Sequence, residues 1–244
     1  MKPIAPLPHR STSPRVKART YPARQQGLSL VEMMIGLVLG LIVVSAVMNM
    51  YAGSSRSSAF STGLQTMQEN GRYGVSVLQR GIRLAGYSPD VVIDPIDIAN
   101  SDTDKVVVRI RQAFDCNGID TAPVGGIAVN TYELDAVNQQ ITCTGNSAAA
   151  SAMPIVEGVD GFAVLYGIDG TDDDDTPEQY ITYDSTIVPR SVSAVRFALL
   201  VNSGEPIRRR SISKTYVLLD QEVTYNDQFA RHVFTSTVKL RNSL

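Results

Sequence analysis

Between residues 28 and 51 the chain carries a single charge, Glu32, in an otherwise apolar run, and no other feature constrains its fold as strongly. A run of about 20 apolar residues is long enough to cross a bilayer as a helix. Helix is also the single-segment arrangement that satisfies its own backbone groups in lipid. Residues 1–27 hold six basic residues (Lys2, Arg10, Arg15, Lys17, Arg19 and Arg24) and no acid. That positive flank predicts a cytoplasmic N-terminal side, with the body on the opposite face of the membrane. A cleaved secretory signal would have a shorter apolar core followed by a small-x-small site. An ordinary signal anchor fits the length but leaves Glu32 unexplained, because a carboxylate in hydrocarbon costs about 2.5–3.5 kcal/mol or more.

The basic leader leaves 16 of the chain's 22 Lys and Arg residues to the body, against all 24 Asp and Glu. An acidic body of this kind does not have the basic face of a nucleic-acid binder, so no direct nucleic-acid contact is expected. Cys116 and Cys143 are the two cysteines, with no CxxC spacing, and the body offers one histidine, His232. That is too few ligands for a zinc site. In an exported domain two such cysteines usually pair.

Past Tyr51 the sequence turns polar, with no proline before Pro89. Phe60, Leu64, Met67, Val75, Leu78 and Ile82 recur near the helical repeat, which predicts a continuing amphipathic helix to about Ala85, with Gly86-Tyr-Ser-Pro89 as its stop. Gly53, Gly63, Gly71 and Gly74 each weaken that helix by about 1 kcal/mol relative to alanine, and mark either bends or close packing. Beyond residue 90 the pattern is strand-like. Strands are expected at 105–111, 128–134, 140–143, 159–166, 179–183, 191–201, 211–218 and 233–240, with 128–134 and 140–143 forming a hairpin. The long apolar run 195–201 reads as a central strand, whereas 233–240 alternates less cleanly. The expected class is α+β, one long helix packed on an antiparallel β-sheet head. A disulfide around the hairpin is expected to stabilise the head by about 3–4 kcal/mol.

Gly27-Leu28-Ser29-Leu30-Val31-Glu32, at the head of the membrane helix, resembles the processing motif of type IV prepilins. The resemblance implies a pilin-like fold. It implies cleavage between Gly27 and Leu28 on the cytoplasmic side by a prepilin peptidase, and N-methylation of Leu28. Glu32 then becomes the fifth mature residue. Attraction between its carboxylate and the new ammonium of a neighbouring subunit would offset burial and set helix register. Leu28 stands where phenylalanine or methionine is commoner, and the leader is long; a start at Val16 would shorten it to 12 residues. The organisation expected is a leader at 1–27, a membrane and assembly helix at 28–52, an amphipathic helix at 53–86 and a periplasmic β-rich head at 87–244.

Head segments carry a finer resemblance, to PilW-type minor pilins. They are Glu69-Asn-Gly-Arg-Tyr73, Arg83-Leu-Ala-Gly-Tyr87, Asp115-Cys-Asn-Gly118, Asn130-Thr-Tyr-Glu-Leu134, Val156-Glu-Gly-Val-Asp160, Val164-Leu-Tyr-Gly167 and the ending 233–242. J-type minor pseudopilins of type II secretion are similar in helix and head, and form the alternative; a signal-anchored periplasmic enzyme is the rival of a different class. The PilW resemblance implies a minor pilin of the bacterial inner membrane that is incorporated into a pilus. Its implied partners are other minor pilins, the major pilin, a PilY-type tip adhesin and the prepilin peptidase. Implied roles are assembly priming or a place at the pilus tip, serving twitching motility, adhesion or DNA uptake. Neither catalysis nor a cofactor is expected. An open sheet edge would offer a site for strand addition.

Three further clusters invite a function. Asp169, Asp172 and Asp174, in an acidic loop, are weak calcium candidates, but lack the EF-hand spacing, so a solvated loop is the expectation. Arg208-Arg-Arg210 reads as a charged turn, with contact to an acidic partner subunit as the alternative. His232 has no nucleophile or base placed beside it by sequence, and there is no GxSxG, HExxH or P-loop.

Overall fold

The computed structural model describes residues 27–170 and 176–242. The chain divides after Tyr51 into two compact units. Within the first, residues from Leu30 onward form part of helix α1 (Leu30–Arg83), which continues into the second. All the large apolar side chains from Leu28 to Tyr51 are more than half exposed, so none of the described residues covers them. One 18-residue window of α1 has a mean hydropathy of 2.5 and no buried residue, enough to cross a membrane by length and composition.

In the second unit α1 buries Gly63, Met67, Gly71, Gly74, Leu78 and Ile82, a stripe at spacings of three and four that lies along one helical face. Three of these are glycines because the head comes too close for a Cβ. At Gly71 an added Cβ would overlap the Phe234 ring; at Gly74 it would lie 2.9 Å from a Leu199 methyl, and at Gly63 2.8 Å from a methyl of Ile207. Of the two expectations for these glycines, close packing holds at 63, 71 and 74; at Gly53 a Cβ would meet nothing within 4 Å. The helix stops two residues earlier than the pattern predicts. Gly86 adopts φ +79°, and its N–H donates to the Arg109 carbonyl, 2.8 Å away. A side chain there would strike the Asn242 backbone.

Ten strands follow: β1 (Lys105–Arg111), β2 (Ile127–Asp135), β3 (Gln140–Thr144), β4 (Met153–Glu157), β5 (Val159–Ile168), β6 (Gln179–Ile181), β7 (Val192–Asn202), β8 (Ile212–Leu218), β9 (Gln221–Asp227) and β10 (Arg231–Lys239). They form an antiparallel sheet in order β1-β2-β3-β4, a second in order β10-β7-β5-β6, and a separate β8–β9 hairpin. The class is α+β, one long helix on antiparallel sheet. The β2–β3 hairpin pairs as expected, Tyr132 opposite Cys143, and β7 is central, between β10 and β5.

The reason β7 reads as an unbroken apolar run is that both of its faces are covered. Val195, Phe197, Leu199 and Val201 join Leu78 and Ile82 of α1, and Val106, Tyr132 and Ile141 of the first sheet, in one core. Ala198 and Leu200 face the other way, into a smaller cluster with Tyr216 and Leu218 of the hairpin. Strand β10 lies at the sheet's edge, and Phe234 reaches the helix at Gly71. Two strands lie outside the set expected from sequence. In β4, Pro154 argues against a strand, but β4 is an edge strand, where a missing N–H is tolerated. In β9, Gln-Glu-Val-Thr-Tyr-Asn-Asp reads as too polar, because alternate residues along it are exposed. Along β1, part of the edge is taken by segment 95–97, through Asp97 N–H to Val107 O and Arg109 N–H to Pro95 O.

Candidate assembly site

The segment 27–32, which resembles a processing motif, lies at the head of α1. Residues Gly27, Leu28 and Ser29 are non-helical, and the Ser29 carbonyl accepts the first helical hydrogen bond, from Met33 N–H at 3.1 Å. Glu32 sits in the first turn, where the unpaired N–H groups of the helix favour an acid. A Cβ added at Gly27 would meet nothing within 4 Å, and the φ of Gly27 is not in the left-handed region. Among the described residues, nothing packs at that position in a way that requires glycine. The motif residues and the apolar stretch behind them form one exposed segment, with Glu32 as its sole charge.

In the head, Cys116 and Cys143 form a disulfide, with a Cα–Cα distance of 6.3 Å. It ties the loop after β1 to strand β3. The same loop is organised by Asp115, whose Oδ1 accepts the N–H groups of Asn117 and Ile119 at 2.9 and 3.0 Å. Burial works against the Asp115 charge, but hydrogen bonds from Ile119, Ser147 and Asn117 hold its carboxyl below the usual range. Asn117 then donates to the Ser151 carbonyl at 2.7 Å and accepts from Gly145 N–H. Disulfide and Asx turn together fasten three loop segments.

Asp169 follows β5, where its N–H donates to Ser191 O at 2.8 Å; Asp172 and Asp174 lie outside the described residues. Among the described residues no group of three or more His, Cys, Asp or Glu is placed to hold a metal. His232 is exposed on β10, its ring edge-on to Phe234 at 4.8 Å. Arg208–Arg210 lie between β7 and β8.

A cluster centred on the buried Arg231, of which only Asp160 falls in a segment singled out in the sequence, lies where β5, β7, β9 and β10 end. Arg231 donates from Nε to Asp160 at 2.5 Å, and from its two terminal nitrogens to the Asp227 oxygens at 2.7 and 2.6 Å. The Asp160 carboxylate also accepts from Gln139 and Asn202, at 2.8 and 3.0 Å. The Arg231 guanidinium lies 3.9 Å from the centre of the Tyr225 ring. Burial opposes its charge, and the bonds to Asp227 and Asp160 outweigh that. The hydrogen bond from Arg231 is the main reason that the Asp227 carboxyl is held low. The partners lie 4 and 71 residues away from Arg231, so spacing carries no hint of the longer link. The cluster pins the hairpin to the sheet and is structural.

Two family models match the chain. The one described as a prokaryotic N-terminal methylation motif matches residues 22–48, and the one described as Type IV Pilus-assembly protein W matches residues 127–242. Among solved structures, the type IV-like pilin TTHA1219 from Thermus thermophilus is 17% identical over 72% of this chain and 97% of its own, with a TM-score of 0.45. No curated protein matches. An exposed apolar helix headed by a methylation motif, on an α+β head, defines a type IV pilin-like protein. More narrowly, the matched residues 127–242 are of PilW type, a family described by its part in type IV pilus assembly. Neither model describes an enzyme family.

Proposed function

We propose that the chain is a minor pilin cut between Gly27 and Leu28 by a prepilin peptidase, methylated at Leu28, and held in the bacterial inner membrane until it joins a pilus. The leader then lies in the cytoplasm and the head in the periplasm. The observation that carries this reading is the uncovered apolar helix with its acid in the first turn. Such a surface needs lipid in the stored state and neighbouring helices in the assembled one. Glycine at 27, which no packing among the described residues requires, is what a peptidase needing an unhindered bond would select.

The mechanism is physical. In the membrane the apolar stretch around Glu32, residues 27–51, offers its carboxylate no Lys or Arg. In the fibre the ammonium of a neighbour's Leu28 supplies one, and Coulomb attraction in a low dielectric sets the register. The head, stiffened by the Cys116–Cys143 disulfide, selects which subunit fits. Sibling minor pilins, the major pilin and a PilY-type adhesin are the partners in this reading, with priming or tip placement as the role. Twitching motility, adhesion or DNA uptake would follow from the pilus it serves. Strand β10, which ends its sheet, is the edge at which a partner would add a strand.

The test is Glu32→Ala, expressed in cells that carry the peptidase. The variant is expected to be cleaved normally and to be missing from sheared pili. Wild-type amounts in the pili would remove Glu32 from the mechanism.

A further inference from the structure

The head carries a basic groove. Its walls are α1 residues 53–60 and the loop between β7 and β8, and it encloses about 840 Å³. Three arginines line it, Arg56, Arg208 and Arg209, beside Phe60 and Ile207, and no acid does. This concentrates positive charge on a body in which acids outnumber bases by 24 to 16.

The groove is built rather than incidental. On one side the loop is seated on the helix, where Ile207 packs against the bare backbone of Gly63. On the other it is pinned by the Ile207 and Arg208 N–H groups, which both donate to the Gln228 carbonyl, at 3.1 and 3.0 Å. Ser203, at the base of the loop, donates to Glu205 O and accepts from Ala230 N–H. Two acids flank lining residues in the chain: Glu205, exposed before Pro206, and Asp227, which feels Arg208 but whose two oxygens are already taken by Arg231. Phe60 remains 44% exposed.

Arg56 follows the end of the apolar stretch, Tyr51, by five residues. At the helical rise that is about 7.5 Å. The headgroup layer on each side of a bilayer is about 5–7.5 Å deep. Arginines beside an aromatic ring, with apolar stems and charged tips, suit that layer. From these observations we infer that the groove binds the phosphate of an anionic phospholipid headgroup while the subunit is stored in the membrane. The inference rests on the membrane-anchored reading above. It adds a device that holds the acidic head in one orientation at the bilayer surface until the subunit is extracted into the fibre.

The test uses the mature chain, which begins at Leu28 and so lacks the six basic residues of the leader, in nanodiscs of equal phosphatidylglycerol and phosphatidylcholine, with native mass spectrometry counting the lipids that stay bound. A basic residue near an anionic surface favours binding by about fivefold. Wild type is therefore expected to retain phosphatidylglycerol over phosphatidylcholine by about fivefold or more. Arg56→Gln/Arg208→Gln/Arg209→Gln should retain the two equally, and Arg72→Gln/Arg80→Gln, on the same helix, should keep the preference. All these side chains are at least partly exposed, so folding is not at stake; near-ultraviolet circular dichroism checks it. Equal retention by wild type overturns the proposal. So does a preference that survives in the triple variant, or one that free inorganic phosphate abolishes, which would mark a plain anion site. So does a loop that becomes protected only when a second pilin subunit is added. Failure to enter discs of phosphatidylcholine alone would instead refute the membrane anchor.

Discussion

Replacing Arg231 by methionine tests how the head is held together. The Arg231 and Asp160 side chains are 4% and 2% exposed, whereas Asp227 is 31% exposed. Removing one partner of a buried pair costs about 3–5 kcal/mol, because the other charge stays buried. Asp160 keeps its amide donors from Gln139 and Asn202, and Asp227 has access to water, so the lower end, about 3 kcal/mol, applies. For a unit of this size that corresponds to a fall in Tm of about 6–12 °C. Arg190→Gln breaks the exposed pair with Asp94 and should cost under about 1 kcal/mol. Adding Asp160→Asn to Arg231→Met should recover most of the loss, since the stranded charge goes. The pH dependence has a definite sign. The Asp227 carboxyl is held below its unfolded value, chiefly by Arg231, so its contribution is full above about pH 4 and disappears as pH falls through the depressed value. Arg231→Met should therefore flatten the acid limb of the stability curve. The assay is urea unfolding of the full chain in micelles, followed by near-ultraviolet circular dichroism. A loss below about 1 kcal/mol, the scale of an exposed pair, or an unchanged acid limb, would refute the reasoning.

Two further predictions concern the helix and the disulfide. Gly71→Ala should destabilise despite the gain in helix propensity of about 1 kcal/mol, because the new methyl meets the Phe234 ring; Phe234→Leu should relieve it, and Gly53→Ala, with open space, should be neutral or stabilising. Thermal melts of the three variants check the signs. Removing the Cys116–Cys143 bridge, whose cysteines are 27 residues apart, should cost about 3.5 kcal/mol in denaturant unfolding, and more susceptibility to proteolysis at the 116–118 loop should accompany it.

The long helix and most strands are legible because burial leaves a period in the sequence. The α1 stripe from Met67 to Ile82 and the doubly covered β7 show this. What is not legible depends on tertiary placement. The polar strand β9 forms because Tyr225 and Val223 find the Ala198–Leu200 face, and β4 tolerates Pro154 because it is an edge. Glycines 63, 71 and 74 look like weak points of a helix, and become intelligible only once the opposing side chains are seen. Within the candidate site, Gly27, Leu28 and Glu32 stand out from sequence alone, because a charge inside an apolar run asks for a partner. Arg56 and Arg208–Arg209 do not, since a groove made from two distant segments has no sequence signature.

The central claim concerns a new amino terminus beside Glu32, and intact-mass analysis of the protein purified from peptidase-bearing cells tests it most directly. The account predicts a chain that begins at Leu28 and carries one added methyl group. A chain that still bears Gly27 and the basic residues before it would contradict the account.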